Sequence, residues 1–369
     1  MTTGTSDPRR LRWIGLAIAL TGAPLVAIGA IFLSARGTAL PIPLVAGLAC
    51  FAPAAAVAMF VKRSRRLGAV ALAMNLIVAM FLTTYRSSPL PSPAPFAGPL
   101  PPASSPAGMA LFQLPTGVIH RTAAFGYRGG AFSDRRDFVM TAALVQHPRG
   151  DLLIDTGLGR EIETQLPLMP LSFRMLTDYE PGRPAADQLD AAGYDRTRLR
   201  GILLTHAHWD HVSGMADFPG VPVLITADER RFIDRGDWVT AIARSVSGVR
   251  YEVYDFEGGP YLGFPRSHDV FGDGSVVVVH APGHTPGSVI VFVALSDSRR
   301  FAFTGDLAWQ REGITEREER PWLVRRSADD DPEQVRGSLL RMAAVAQRFP
   351  QLTLVPAHDA RGFTSLPRR

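Results

Sequence analysis

Four residues with metal-binding side chains lie within one short stretch of the chain, Thr205–His211. They are His206, His208, Asp210 and His211. Imidazoles suit zinc and related transition metals, and a carboxylate among them is common in hydrolytic sites. A polar loop with chance histidines is the alternative. Because the whole chain contains only nine histidines, three of them beside an aspartate indicate a metal site.

Three later stretches place a ligand-type residue directly after an apolar run, as Gly201–Leu204 precedes the first cluster. These residues are His284 after Ser275–His280, Asp306 after Phe301–Thr304, and His358 after Leu352–Val355. Loops that leave one end of a sheet system converge on one point, where α/β proteins tend to place their sites. We therefore expect the four loops to form a single site.

The elements that must position these loops form a mixed α and β pattern from Met109 onward. Apolar runs bounded by turns predict strands, and an aspartate followed by proline predicts a helix start at Asp331. The further predicted strands are Phe138–Gln146, Asp151–Ile154, Val221–Ile225 and Val289–Leu295. The predicted helices are Pro184–Ala192, Ala227–Asp234 and one from Asp331 to about Phe349.

The N-terminal segment has a different composition, in a chain that is 46% hydrophobic over its 369 residues. Apolar stretches at about residues 13–33, 40–61 and 67–85 are each long enough, or nearly so, to cross about 30 Å of hydrocarbon. The alternatives are a buried helical hairpin of a soluble domain and, for the first stretch only, a cleaved signal peptide. Three consecutive stretches joined by short basic links favour three transmembrane helices in an anchor over residues 1–86.

Charge separates the same two regions. Residues 1–86 hold nine basic side chains against one acidic side chain, so they contribute +8 and the remainder contributes −3 to the net charge of +5. A nucleic-acid partner is therefore not expected, in spite of a pI near 9.8. The positive-inside rule predicts an integral membrane protein whose residues after Tyr85 lie on the extracytoplasmic side.

A proline-rich segment over residues 87–108 follows, with eight prolines that disfavour both helix and sheet. Such a segment favours extended polyproline II and is expected to act as a stiff linker to a third region, residues 109–369. The single cysteine, Cys50, excludes a disulfide within the chain and a cysteine-based metal site.

The four motifs THAHWDH, PGHTPG, TGD and PAHD, in this order, resemble the metallo-β-lactamase superfamily of metallo-hydrolases, nearest to its lactonase-like branch. The resemblance covers about residues 109–369 and implies an αββα sandwich with the site at one edge. It also implies a ligand set for two zinc ions, although iron or manganese would accept the same ligands. The implied ligands are His206, His208 and His284 for one metal, Asp210, His211 and His358 for the other, and Asp306 bridging both, with Asp210 catalytic as well.

Such a pair of metals shares a hydroxide that acts as nucleophile at neutral pH. The function expected from the resemblance is cleavage of an ester, lactone or thioester bond in a small-molecule substrate. Phosphodiester hydrolysis on the same metals and a non-catalytic metal-binding sensory module are the alternatives. Lactonases carry a tyrosine shortly after the bridging aspartate, and this sequence has Trp309 there, so we expect Trp309 to form a pocket wall.

Several residues around the motifs remain open on the sequence alone. Asp155, Thr205 and Asp359 are candidates to orient the imidazoles, or are ordinary turn and capping residues. His147, Glu319, Arg320 and the run Asp329–Asp331 are expected to be solvated. The apolar stretch Leu166–Leu176 covers the pocket, rests on a bilayer or forms a buried connection.

Overall fold

A computed structural model describes residues 83–369 of the protein. Its strands are β1 (Ala110–Thr122), β2 (Arg135–Gln146), β3 (Asp151–Ile154), β4 (Glu180–Pro181), β5 (Leu199–Leu203), β6 (Val223–Thr226), β7 (Tyr251–Tyr254), β8 (Ser267–Asp269), β9 (Val276–His280), β10 (Val289–Ala294), β11 (Arg300–Gly305) and β12 (Leu352–Pro356). Its α-helices are α1 (Ala123–Gly126), α2 (Ile162–Gln165), α3 (Leu171–Leu176), α4 (Ala185–Ala191), α5 (Trp209–Val212), α6 (Ala227–Arg235), α7 (Ala241–Ser245), α8 (Arg311–Thr315), α9 (Trp322–Ala328), α10 (Pro332–Arg348) and α11 (Ala360–Phe363).

The first two predicted transmembrane helices lie outside the described residues, as does the third except for residues 83–85. Within residues 83–369, no helix combines the length and the apolar composition that crossing a bilayer requires. The three-helix anchor therefore stays a prediction.

The strands form two sheets. One sheet has the strand order β4-β1-β2-β3-β5-β6-β7, and the other has the order β12-β11-β10-β9-β8. In the first sheet, β3, β5, β6 and β7 run parallel. In the second sheet, β10 is antiparallel to both β9 and β11, and β12 is parallel to β11. Strands β9, β11 and β12 therefore share one direction, and their carboxyl ends lie at the same edge.

A hydrophobic core lies between the two sheets. Alternate residues of each strand face it, so in β2 Ala143 and Val145 point inward while Ala142 and Leu144 point to the opposite face. The second sheet contributes residues such as Val291 from β10 to the same core. Because both faces of the second sheet are covered at its centre, β9 and β10 are nearly continuous apolar runs.

Helices cover the two outer faces. Leu189 of α4 and Ile242 of α7 pack on the first sheet, and Leu339 and Met342 of α10 pack on the second. Helix α10 begins as its sequence predicts, because the Asp331 side chain accepts hydrogen bonds from the first-turn amides. The four layers confirm the predicted αββα sandwich.

Strand β1 is the largest element that the sequence pattern left unidentified. It contains Pro115 and Gly117, which disfavour a regular strand. The structure accommodates both at a shift of register against β2 between these two residues. A bulge of this kind lets a long strand continue past a residue that cannot donate to the ladder.

The proline-rich segment 87–108 contains no helix or strand, as its prolines predict, but it lies along the domain rather than apart from it. Phe96 packs edge-on against Phe349, with ring centroids 6.0 Å apart. The Leu90 amide donates to the Arg317 carbonyl at 2.9 Å, and the Ser104 amide donates to the Asp273 carbonyl at 2.8 Å. The segment is therefore a strap fixed to the second sheet and its helices.

Candidate metal centre

All four predicted ligand loops leave strand ends at one edge of the sandwich. Thr205–His211 follows β5, and the loops with His284, Asp306 and His358 follow β9, β11 and β12. The Val289 amide donates to the Thr205 carbonyl at 3.0 Å and so joins the two sheets at this edge. Gly305 turns the chain with φ +50°, and a Cβ there would lie 3.0 Å from the Thr205 Cβ, so glycine permits this close approach.

The structure brings all seven predicted ligands together. Their candidate ligand atoms form three groups, each with all atoms within 4.8 Å of one another. The groups are His206, His208 and His284; His206, His211 and Asp306; and Asp210, His211 and His358. We call the first the HHH half of the site and the last the DHH half.

The Asp306 carboxylate lies between the two halves. Its Oδ2 atom is 3.3 Å from His284 Nε2, and its Oδ1 atom is 3.1 Å from His358 Nε2 and 3.4 Å from His211 Nε2. Each oxygen thus faces a different half. This is the placement that a bridging carboxylate requires, although its metal-binding role stays a prediction.

The unsatisfied atoms at this edge fit divalent cations. Among the described residues, the buried Nε2 atoms of His206, His211 and His284 and the Oδ1 atom of Asp306 have no hydrogen-bond partner. A buried polar atom left without a partner costs about 1–3 kcal/mol. Four such atoms in one cluster of imidazoles and carboxylates match the nitrogen and oxygen donors that zinc prefers.

In the DHH half, residues of the first sheet orient the imidazoles. His211 Nδ1 is 2.8 Å from Asp155 Oδ2, and His358 Nδ1 is 2.9 Å from the carbonyl oxygen of Val139. Asp155 also accepts bonds from the Thr205 amide and hydroxyl, both at 2.7 Å. Its backbone has φ +53°, an uncommon conformation for a residue other than glycine, and it aims the carboxylate at both groups.

In the HHH half, Asp329, which directly follows α9, orients His284. His284 Nδ1 is 2.9 Å from Asp329 Oδ1, and Asp329 is also paired with Arg320. The Arg320 Nη1 atom donates to the Asp306 carbonyl oxygen at 2.7 Å. The expectation that Glu319, Arg320 and Asp329 are solvated was wrong, because their side chains are at most 5% exposed.

Trp309 contacts the predicted bridging carboxylate, whereas its expected role as a pocket wall stays a prediction. Its indole N–H donates to Asp306 Oδ2 at 2.7 Å, and its ring stacks on Phe125 with centroids 5.5 Å apart. Asp359, in contrast, does not orient an imidazole. Its carboxylate accepts bonds from Arg311 and Arg361 and caps α11.

Burial and neighbouring groups set the protonation of the cluster. Burial, together with the neighbouring imidazoles, holds the pKa of His206 and of His208 well below the usual range. Burial opposes ionisation of Asp306, but the imidazoles of His358 and His284 hold its pKa well below the usual range. Burial also opposes protonation of His211, His284 and His358, but the neighbouring carboxylates, Asp155 for His211 and Asp306 for the other two, raise their pKa above the usual value. A metal that binds these three imidazoles would displace their protons.

Glu229 in α6 is a buried acid that the motifs did not indicate. Burial raises its pKa to about 7, although hydrogen bonds from Thr285, Ala207 and Gly287 oppose the shift. The pattern Thr226-x-x-Glu229 is a capping-box signal and predicts only the start of a helix. Asp329 carries no signal of its own, because an acidic run beside a helix cap is usually solvated.

The remaining histidines belong to none of the three candidate ligand groups among the described residues. His147 is buried, which corrects the expectation of a solvated turn. Its ring stacks on Phe271 with centroids 3.7 Å apart, and its Nε2 atom is 3.2 Å from Asp273 Oδ2. His120 is half exposed and is paired with Asp137.

A match to a known protein family spans the predicted ligands of the four motifs. The model of the metallo-beta-lactamase superfamily matches residues 136–358. The chain belongs to the metallo-beta-lactamase superfamily. It is a metal-dependent hydrolase of that fold, and His206 through His358 of the predicted ligand set fall within the matched residues.

Related proteins include a probable metallo-hydrolase and a lactonase. A probable metallo-hydrolase of Mycobacterium tuberculosis is 29% identical over 235 residues, which cover 58% of this chain and 73% of the relative. The N-acyl homoserine lactonase AttM of Agrobacterium fabrum is 26% identical over 176 residues, which cover 45% of this chain and 64% of AttM.

A solved structure supports the fold. An N-acyl homoserine lactone hydrolase, with the product N-hexanoyl-L-homoserine bound at its catalytic metal centre, superposes with a TM-score of 0.55. It is 19% identical, and the match covers 70% of this chain and 96% of that chain. At this identity the likeness describes the sandwich and not the substrate.

Proposed function

We propose that this protein is a membrane-anchored binuclear zinc hydrolase that cleaves an ester, lactone or thioester bond of a small molecule. One observation carries the proposal. The two oxygens of Asp306 face two separate histidine-containing groups, His284 on one side and His211 with His358 on the other. A carboxylate in this position would offset the charge of two zinc ions, as two-metal hydrolytic sites require.

Zinc in such a site lowers the pKa of coordinated water towards ~7 and polarises a substrate carbonyl. The chain's own residues orient that chemistry. Asp155, Asp329 and the Val139 carbonyl accept bonds at the Nδ1 atoms of three imidazoles, so each Nε2 is directed to the centre. Asp210, at 3.4 Å from His358 Nε2, is the carboxylate that we assign to proton transfer.

The relatives favour a lactone or ester as the substrate, but Trp309 distinguishes this site from the sites of lactonase-like enzymes. In the lactonase-like branch a tyrosine at this position assists the substrate carbonyl. Here the indole N–H is engaged with Asp306 Oδ2, and an indole is not an acid. We therefore propose that Trp309 acts on the bridging carboxylate and not on the substrate.

The surroundings of Trp209, inside the first motif, favour a substrate with an apolar group. Phe173 of α3 packs edge-on against Trp209 with centroids 5.6 Å apart. Leu171, Met175 and Leu176 of the same helix are each more than half exposed. Three roles were open for Leu166–Leu176: to cover the pocket, to rest on a bilayer or to form a buried connection. The exposed apolar side chains of α3 argue against the buried connection, and we propose that this helix contacts an acyl chain of the substrate.

The proposed anchor is residues 1–86, with the hydrolase domain on the extracytoplasmic side. Support comes from the three apolar stretches and from the distribution of their basic links. A reporter fused after Arg369 tests the orientation. Alkaline phosphatase fused there is expected to be active in intact cells, and fluorescence of a cytoplasm-dependent reporter at the same position would overturn the assignment.

Metal analysis and a substrate panel test the hydrolase itself. The full-length protein is expected to hold about two zinc ions per chain and to hydrolyse members of a panel of esters, lactones and thioesters. His208→Ala should abolish hydrolysis, whereas the matched variant His120→Ala, at a half-exposed histidine, should retain it. A metal-loaded protein that is inert towards the whole panel would refute the proposed reaction.

A further inference from the structure

Glu229 is the third residue of α6, and its side chain departs from the usual geometry of that position. The Thr226 hydroxyl caps the helix by accepting a bond from the Glu229 amide at 3.1 Å. In a capping box, the glutamate at this position returns to the capping residue. Here the carboxylate instead extends to two loops that carry metal ligands.

Each oxygen of the carboxylate serves a different loop. Oε1 accepts a bond of 2.6 Å from the amide of Ala207, which lies between His206 and His208. Oε2 accepts bonds from the Thr285 hydroxyl at 2.6 Å and from the Gly287 amide at 3.0 Å. Thr285 directly follows His284. All three histidines of the HHH half are therefore adjacent to a group that Glu229 holds.

The contact between Glu229 and Gly287 is also tightly packed. A Cβ on Gly287 would lie 2.2 Å from the Glu229 amide nitrogen and 2.3 Å from the Thr226 hydroxyl, so only glycine fits. Glu229 itself is 1% exposed. Burying a carboxylate is costly unless it is well hydrogen-bonded, and a cap alone does not require it. The three donors give a reason for placing a carboxylate at this point.

We propose that Glu229 is a positioning residue that fixes the Thr205–His211 loop and the His284 loop relative to each other, and thereby sets the metal affinity of the HHH half. In the Thr205–His211 loop the contact of Glu229 is at Ala207, between His206 and His208, whereas the imidazoles of the DHH half are oriented by Asp155 and the Val139 carbonyl. The inference rests on the proposed metal site but not on the proposed reaction. The two halves should therefore respond differently to a change at Glu229.

Metal titration of Glu229→Gln in the full-length protein tests the proposal. An amide retains the size of the side chain but offers one acceptor oxygen where the carboxylate offers two. Zinc affinity, measured by chelator competition on metal-free protein, should fall about 10–100-fold at one site and remain unchanged at the other. The site retained should give the same cobalt absorption spectrum as the site retained in His208→Ala.

Two variants serve as controls. Glu333→Gln, at an exposed residue of α10, should leave both affinities unchanged. Thr285→Val removes a single donor and should weaken the same site by less than Glu229→Gln, while Thr285→Ser should restore it. These threonine variants carry the test if Glu229→Gln does not fold. Equal loss at both sites, or unchanged affinity in both Glu229→Gln and Thr285→Val, would overturn the inference.

Discussion

The two halves of the candidate metal centre are held in place by different parts of the fold. The DHH half is oriented from the first sheet, by Asp155 at the end of β3 and by the Val139 carbonyl in β2. The HHH half is oriented from outside the sheets, by Asp329 after α9 and by Glu229 in α6. The first kind of support is fixed by the core, and the second depends on loops and helix ends being correctly packed.

The DHH half is therefore positioned by the strands of the sandwich itself, whereas the HHH half is positioned by loops and helices that pack on it. Elements with few buried contacts open more readily than core strands. Helix α9, which lies between Arg320 and Asp329, has no fully buried residue. We therefore expect the HHH half to be the more easily perturbed, and variants at single residues can test the difference.

The largest effect is expected at Asp306, because it belongs to both halves. Asp306→Asn should weaken zinc binding at both sites and should abolish hydrolysis. The loss at each site should exceed the factor of about 10–100 that is typical when a residue hydrogen-bonded to a metal ligand is replaced. Chelator competition measures both affinities. Asp297→Asn, in an exposed turn, is the matched control. Loss confined to one half would show that Asp306 does not bridge.

Asp155→Asn should act mainly on the DHH half, because Asp155 contacts the His211 imidazole directly and reaches the HHH half only through Thr205, which precedes His206. Asparagine tolerates the left-handed backbone conformation of this position, so the variant reports on the lost charge and not on strain. Zinc affinity of the DHH half should fall about 10–100-fold, with the HHH half retained. If the cobalt spectrum assigned to the HHH half changes instead, the assignment of Asp155 to one half is wrong.

Asp329→Asn should act on the HHH half by a smaller factor. An asparagine oxygen can still accept the bond from His284 Nδ1, but it loses the charge that pairs with Arg320. We expect a roughly tenfold loss of zinc affinity at this half, the lower end of the range for such residues. Asp330→Asn, at the neighbouring exposed residue, should have no effect on either half.

The smallest effect is expected from Trp309→Phe, and it should be shared. The indole donates to Asp306 Oδ2 at 2.7 Å, so its loss loosens the bridging carboxylate without removing a ligand. A hydrogen bond to a charged group is worth about 1.5–3 kcal/mol, of which only a part passes to each metal. A several-fold loss of affinity at both halves is expected, with Trp238→Phe as the exposed control.

The same contrast explains what could be predicted from the sequence. The predicted ligands, from His206 to His358, lie in loops that follow apolar strands, and the sandwich and the convergence of these loops follow from that pattern. Asp155 was identified as a candidate because it also ends a strand. Asp329 and Glu229 lie outside any strand-end motif, and their burial depends on how α6 and α9 pack, which a local pattern of charge does not contain.

Misassigned residues have a similar origin. Arg320 and Asp329 look solvated because each is charged and lies near a helix terminus, yet they neutralise each other against the metal loops. Strand β1 was missed because its proline and glycine are accommodated by a bulge that only the partner strand reveals. In each case the deciding partner is distant in sequence.

The strap formed by residues 87–108 has a practical consequence for preparing the protein. A fragment that begins at Met109 would lack Phe96, which packs on the Phe349 ring, and the Leu90 and Ser104 amides that donate to the carbonyls of Arg317 and Asp273. The apolar surface beneath the strap, on the layer that includes α10, would then face water. A fragment that begins at Thr83 keeps this surface covered, and we expect it to aggregate less in solution than the fragment that begins at Met109.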